Sequence, residues 1–512
     1  MAEPKRLNKN LQWTPLGTSG RRILAPNLQG NVIWRPPAEH APLMFTSQSG
    51  GQLAGADPIE RARLEAGLED LGSAELPSRS ATLSDTGDQI EVDYEADDSR
   101  FEFAILRDEA GTITLHEPID SAPVQPTAAV AARAGGGVAK VPRRRKYVIK
   151  LRHANYPVGG VPRTAMLGGI GGKVLRFFGG VIDHIMGSAV FEAASLWERK
   201  YRAPEGLFAA NSATELCSAV PKSPFDSSSF DGKKSLLFIH GTISSTKGAF
   251  SGLQQFPSKA TALFKDYENR VLAFNHHTLT KSVGQNALDF LNSLSPGSYD
   301  FDVICHSRGG LITRALKQLQ PSEIAALPNV SGTVPANVTV KIGKVGLVGV
   351  PNMGTPLANP SDLKTAVSWL ASVASSFHQD VVDFGLGALF AIFGALVKGG
   401  VGALPGLEDM NPGSAFLEAL NLGDLSANDF YAVEADFRAS GGLLQVMAED
   451  GIGALFEGEA NDLVVPTDGV SQLGSQTVPR AQIDLYPQGS NVYHTDYFEQ
   501  GATWDVLNAF LP

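Results

Sequence analysis

Ser307 lies in the run Asp302-Val303-Ile304-Cys305-His306-Ser307-Arg308-Gly309-Gly310, where an apolar strand pattern passes through small residues into a helix. A backbone that reverses so sharply tolerates only small side chains beside the turning residue, and Gly309, with Cys305 as a small stand-in, meets that demand. Such a turn lifts the hydroxyl above the sheet edge and aims the next N–H, that of Arg308, at an oxyanion formed beside it. Ser307 is therefore the candidate nucleophile. The plainer reading of a Ser-x-Gly is a helix cap, so the surrounding chain has to decide.

A serine becomes nucleophilic when a histidine takes its proton and a carboxylate fixes that histidine's tautomer. Of ten histidines, only His494 follows the last expected strand, Ala481 to Tyr486. His240, His276, His277 and His306 belong to strand ends or to the turn itself, with the His306 side chain expected to point away from the site. His40, His116, His153 and His184 come before the segment that holds the motifs, and His378 falls in an insert. The candidate acid is Asp462, in the loop Asn461-Asp462-Leu463-Val464-Val465-Pro466 after an expected strand at Leu443 to Met447. Asp468 and then Asp450 are the fallbacks, since a loop aspartate often serves only as a turn or cap residue.

Upstream, Lys234 to Ile239 reads as a buried strand ending in His240-Gly241-Thr242. That ending sets a second N–H, that of Thr242, at the sheet's carboxyl edge as the other oxyanion donor. A strand at Asn269 to Asn275 and a helix at Val283 to Leu294 lie between it and Ser307, the alternation that a parallel doubly wound sheet requires.

Together Phe238-Ile239-His240-Gly241-Thr242, Cys305-His306-Ser307-Arg308-Gly309-Gly310, Asn461 to Val465 and His494 resemble the α/β-hydrolase superfamily, its bacterial lipases and esterases in particular. Gly349-Val350-Pro351-Asn352-Met353-Gly354-Thr355-Pro356 adds to the likeness, because in lipase-like members such a stretch begins the lid insertion. The resemblance covers residues 230 to 512 and departs from the family at Cys305, where glycine is usual. It implies an α/β-hydrolase fold, a mostly parallel sheet flanked by helices, with an apolar helical lid. It also implies a serine carboxylic-ester hydrolase acting through Ser307, Asp462 and His494, with Thr242 and Arg308 as oxyanion donors. The implied partner is a small-molecule or lipid ester, and no metal or organic cofactor is expected, since the nucleophile supplies the chemistry. An amidase, thioesterase or acyltransferase would use the same triad, and an inactive binding module is the reading from another class.

Between Pro356 and Asp409, helices are expected at Thr365 to Phe377 and Val381 to Val397, the second almost wholly apolar. That stretch is too short to span a bilayer, and its place in the chain suits a lid that offers an apolar groove and a lipid-interface contact. The alternative is a helix buried at a dimer or domain interface.

With 42 Lys+Arg against 53 Asp+Glu, the formal charge of -11 argues against a nucleic-acid partner. Arg143 to Lys146 reads as solvated linker charge, and Gly168 to Lys173 lacks both the spacing and the following Ser or Thr of a phosphate loop. Two distant cysteines, Cys217 and Cys305, and a start without an apolar run lead to the expectation of a cytoplasmic protein. The length of 512 residues calls for more than one core. Residues 1–120 read as a separate β-rich region with strands at Gln89 to Tyr94, Phe101 to Leu106 and Thr112 to Leu115, and a helix at Arg61 to Leu71. Residues 121–145 read as an Ala/Pro/Gly linker, and 146–229 as a connecting strand, Lys146 to Leu151, that either joins the hydrolase sheet or closes the first domain, plus apolar helices, notably Ala165 to Trp197, packed on the core. The catalytic domain is then 230–512 with its lid at 357–409; the sequence leaves the oligomeric state open.

Overall fold

The computed structural model describes residues 5–7, 22–24, 32–35, 58–77, 88–95, 100–107, 113–120, 144–151, 172–181, 189–201, 204–218, 225–359, 386–397, 404–423, 425–437 and 458–511, with isolated positions at 364, 366–368, 371 and 456. Strands β1 (Lys5–Leu7), β2 (Arg22–Leu24), β3 (Val32–Arg35), β4 (Glu69–Pro77), β5 (Asp88–Glu95), β6 (Arg100–Arg107), β7 (Ile113–His116), β8 (Ile119–Asp120), β9 (Arg144–Leu151) and β10 (Gly172–Val181) make two antiparallel sheets. Their orders are β1-β3-β4-β10-β6-β7 and β2-β5-β9-β8. Strand alternation turns Ile90, Val92, Tyr94, Tyr147 and Ile149 of the smaller sheet onto Ala104, Leu106, Leu175 and Phe177 of the larger one.

Three expectations for this region are corrected. The helix α1 (Pro58–Glu65) stops short of Leu71, because Gly67 adopts φ +67° and the N–H groups of Gly67 and Leu68 turn back to the carbonyls of Leu64 and Arg63. Residues 172–181 are a strand, not helix: Phe177 and Phe178 point to opposite faces and both are fully buried, so the apolar run shows no period that would separate strand from helix. Among the described residues of that run, those from 189 on are helical, as α2 (Ala189–Tyr201). Finally, β9 pairs with β5 and β8, the second of the two readings of that strand, and β10 pairs with β4 and β6, so residues 172–181 belong to the N-terminal sheets and not to helices on the α/β core.

The second half is built on a seven-stranded sheet. Its strands are β11 (Gly206–Ala210), β12 (Lys234–Ile239), β13 (Val271–Asn275), β14 (Gly297–His306), β15 (Val338–Val348), β16 (Phe430–Ala435) and β19 (Ile483–Tyr486); a small hairpin, β17 (Gln472–Leu473) and β18 (Gln476–Thr477), stands apart. The order is β11-β13-β12-β14-β15-β16-β19, parallel except for β11, and helices flank it, which makes this half an α/β fold. The chain steps one way from β12 to β13 and the other way to β14, so the crevice beyond the ends of β12 and β14 is the switch point where such sheets bind ligands. Among the described residues, the strand before the Asp462 loop is β16; the expected strand at Leu443 to Met447 lies outside them.

Helices α3 (Val283–Asn292) and α4 (Gly309–Gln318) bury Leu288, Phe290, Leu311 and Ile312 on the sheet face that carries Leu237, Val303 and Cys305. Helix α5 (Leu386–Val397) joins the same core, and α6 (Gly501–Phe510) covers the opposite face with Trp504 and Leu507. Helix α5 packs on α2 and α1 and also on the larger N-terminal sheet, where Phe390 and Phe393 stand 6.3 and 5.5 Å from the ring of Phe103 on β6. Glycine permits the approach, since a Cβ on Gly394 would come within 2.6 Å of Phe101, and one on Gly180 within 2.7 Å of the same ring. Each phenylalanine buried there contributes roughly 2–3 kcal/mol of apolar transfer. Among the described residues, no helix is long and apolar enough to cross a membrane.

Candidate active site

Strand β14 ends at His306 and α4 begins at Gly309, which leaves Ser307 and Arg308 to make the turn, with Ser307 at φ +53°. A non-glycine residue in that left-handed region is strained by about 1 kcal/mol or more, and the surroundings hold it there. The Ser307 N–H donates to the Val348 carbonyl at 2.9 Å, and its own carbonyl accepts from Gly310 at 2.9 Å. A Cβ on Gly309 would lie 2.4 Å from the Ile239 carbonyl oxygen, and one on Gly241 2.6 Å from the Ser307 Cβ, so β12 and the turn touch through two glycines. Cys305 points into the core, where burial pushes its thiol up to about 12.

Beyond β19, His494 reaches back over this turn, with Nε2 3.0 Å from Ser307 Oγ and Nδ1 2.8 Å from Asp462 Oδ2. All three are at least 95% buried. Because an ionised carboxylate only accepts, Nδ1 carries the imidazole proton and Nε2 is left to accept from the serine hydroxyl. Asp462 sits in a tight turn in which Leu463 has φ +80°, and its Oδ1 accepts from the N–H groups of Val464 at 3.0 Å and Val465 at 2.7 Å. The main chains are also tied, His494 N–H donating to the Asp462 carbonyl at 3.0 Å. Beneath the pair, Gly349 takes φ +56°, and a Cβ there would stand 3.2 Å from both Asp462 Oδ2 and His494 Nδ1.

Two residues of this arrangement have no role in the sequence reading. Tyr497 donates its phenol to Asp462 Oδ2 at 2.9 Å, and burial, together with the Asp462 charge, holds that phenol well above its ordinary value. His306 does not simply turn away: its Nε2 donates to the His494 carbonyl at 2.8 Å, and burial lowers its basicity to about 3, so the ring is neutral. The only local signal for Tyr497 is its place three residues after His494 in the same buried loop. Of the fallback acids, Asp468 is exposed at the start of the short helix Asp468–Ser471, and Asp450 lies outside the described residues.

Thr242 and Ile243 line a cavity of about 60 Å³ together with Ser307 and His494. Its other walls are mostly apolar, among them Leu357, Leu389 of α5, Leu407, Met410 and Val464. Arg308 is fully buried; its Nε donates to the Gly406 carbonyl at 2.9 Å and Nη2 to the Lys281 carbonyl at 2.6 Å, and burial draws the guanidinium down to about 10. The arrangement can pass a proton from a serine to an imidazole beside mostly apolar walls. Among the described residues, no group of three or more His, Cys, Asp or Glu is placed to hold a metal ion.

A family model described as "Domain of unknown function (DUF7379)" matches residues 209–512. Among solved structures, lipase 1 from Pelosinus fermentans is 12% identical with a TM-score of 0.35, the match covering 55% of this chain and 98% of that one. EstA from Clostridium botulinum is 14% identical with a TM-score of 0.34, over 60% of this chain and 95% of that one. No curated protein matches.

Proposed function

The chain belongs to the DUF7379 family, and we propose that it is a serine hydrolase that cleaves carboxylic esters through an acyl-enzyme. The observation that carries this reading is the relay from Ser307 through His494 to Asp462, at 3.0 and 2.8 Å, with the serine set in a strained turn at the switch point of the sheet. As Ser307 Oγ bonds to the ester carbonyl carbon, its proton passes to His494 Nε2. The imidazolium returns that proton to the alkoxide oxygen as the carbon–oxygen bond breaks, and Asp462 balances the charge meanwhile. Water then repeats the sequence on the acyl-enzyme and restores the hydroxyl. The backbone N–H groups of Thr242 and Arg308 stabilise the oxyanion, each worth about 3 kcal/mol in the transition state.

The apolar walls suit an acyl chain and a lipid or small-molecule ester. Leu389 of α5 stands in the wall of this cavity, so α5 is the element that would have to shift to admit a long acyl chain.

The test is hydrolysis of p-nitrophenyl esters of increasing chain length, alongside labelling by a fluorophosphonate with the adduct mapped by mass. Wild type turns over and is labelled at Ser307, while Ser307→Ala loses roughly four to six orders of magnitude in kcat with its fold intact by circular dichroism. Equal rates from the two proteins would sink the proposal.

A further inference from the structure

Glu198, on α2, is 1% exposed. Its Oε1 accepts from the N–H groups of Thr278 at 2.6 Å and Leu279 at 2.8 Å, and its Oε2 from the Thr280 N–H at 3.1 Å and the Thr280 hydroxyl at 2.5 Å. Four donors fill the capacity of a carboxylate, so this buried charge is spent on holding the loop between β13 and α3. That loop meets Arg308 and the residue next to Thr242. Thr278 Oγ1 accepts from the Ile243 N–H at 2.9 Å, and Ile243, next to Thr242, is a β-branched residue held at φ +51°, a conformation it does not keep unaided. On the other side, the Thr278 carbonyl packs on Gly406, where a Cβ would come within 1.8 Å, and Arg308 donates to the carbonyls of both Gly406 and Lys281.

We infer that Glu198 is a positioning residue of the site: it grips the Thr278–Thr280 loop, which through the Thr278 hydroxyl fixes the turn bearing Thr242 and Ile243. Its catalytic consequence rests on the hydrolase reading of Ser307. The clamp comes from outside the family-matched segment 209–512, and so ties the preceding helix to oxyanion geometry.

Glu198→Gln keeps the volume but turns an NH2 group toward donors, and Thr278→Val removes only the acceptor for Ile243; Thr278→Ser keeps it. Each of the first two is expected to lower kcat on a p-nitrophenyl ester about tenfold to a hundredfold, the loss produced by a misplacement of about an ångström. KM moves less than about threefold, and Thr278→Ser recovers most of the rate. The double variant is no slower than the worse single one within about twofold, because both act through one contact.

Hydrogen exchange followed by mass spectrometry reads the clamp without catalysis. Glu198→Gln speeds exchange in peptides covering both 277–282 and 238–245, and Thr278→Val only in the second. Exchange that rises at 277–282 with 238–245 unchanged overturns the inference, as does an unaltered kcat for Glu198→Gln in an active protein. If wild type neither cleaves esters nor is labelled at Ser307, the hydrolase reading falls, while the exchange result still decides whether Glu198 governs the turn.

Discussion

Asp462, in the loop after β16, and Glu198, on the helix that precedes the family-matched segment, are each 1% exposed, and each collects four hydrogen bonds. Their donors differ. Glu198 takes its hydrogen bonds only from main-chain N–H groups and a hydroxyl, none of which gives up its proton, so it holds a loop, while its charge also acts on the buried guanidinium of Arg308. Asp462 has an imidazole and a phenol among its donors, so a proton transferred at Ser307 is felt at its oxygens. Burial is therefore no guide to role; the acidity of what a carboxylate faces is. Glu434 on β16 is the contrasting case: it is 5% exposed, its Oε2 has no hydrogen-bond partner among the described residues, and burial, only partly offset by Ser471, raises its carboxyl to about 7.

The comparison breaks first at Asp462. Asp462→Asn presents an amide that cannot take both the imidazole N–H and the backbone donors, and a loss of about 10⁴ in kcat is expected, as when such a histidine is left in the wrong tautomer. A loss no larger than that of Glu198→Gln would mean that the two carboxylates do the same job.

Glu434 gives the next largest effect, on stability. Its carboxyl in the native protein, raised to about 7 from 4.5, binds a proton that the unfolded chain releases. The native state thus holds more protons across that window, and stability falls as pH rises through it, by roughly 3 kcal/mol from this group alone. Urea unfolding between pH 5 and pH 8 is expected to show a shallower decline for Glu434→Gln than for wild type. It is not abolished, because burial also raises Asp409, to about 6, with the same sign. An unchanged slope would show that Glu434 is not buried as described.

Tyr497→Phe is the finest cut. It removes one of four donors to Asp462 and leaves the imidazole in place, so kcat should fall less than about tenfold with KM unmoved, near the 1 kcal/mol that one hydrogen bond contributes. A loss approaching that of Asp462→Asn would move the tyrosine into the relay itself.

The elbow was readable because its demand is local: the small residues that let the chain turn at Ser307 stand within two positions of it. His494 is legible from chain order, because it follows the last strand; for Asp462 the strand expected before it, Leu443 to Met447, lies outside the described residues, and the described strand before its loop is β16. Glu198, His306 and Tyr497 were not readable, because each acts through a contact that only the folded chain creates, such as Glu198 with residues 80 to 82 positions away. Strand β10 was misread for another reason: in a strand buried on both faces the alternation that marks a strand vanishes. The expected lid helix was correct in type at Leu386 to Val397, but the surface it rests on belongs to a region that had seemed separate.

Strand β10 places Phe177 between the two N-terminal sheets and Phe178, its neighbour, in the core shared with α5 and the α/β half. Heat that loosens either core must pull on the same ten-residue strand, so the sandwich cannot melt and leave the other half undisturbed. Its loss would bare the phenylalanines of α5 to water, and the exposed helix would be a nucleus for aggregation.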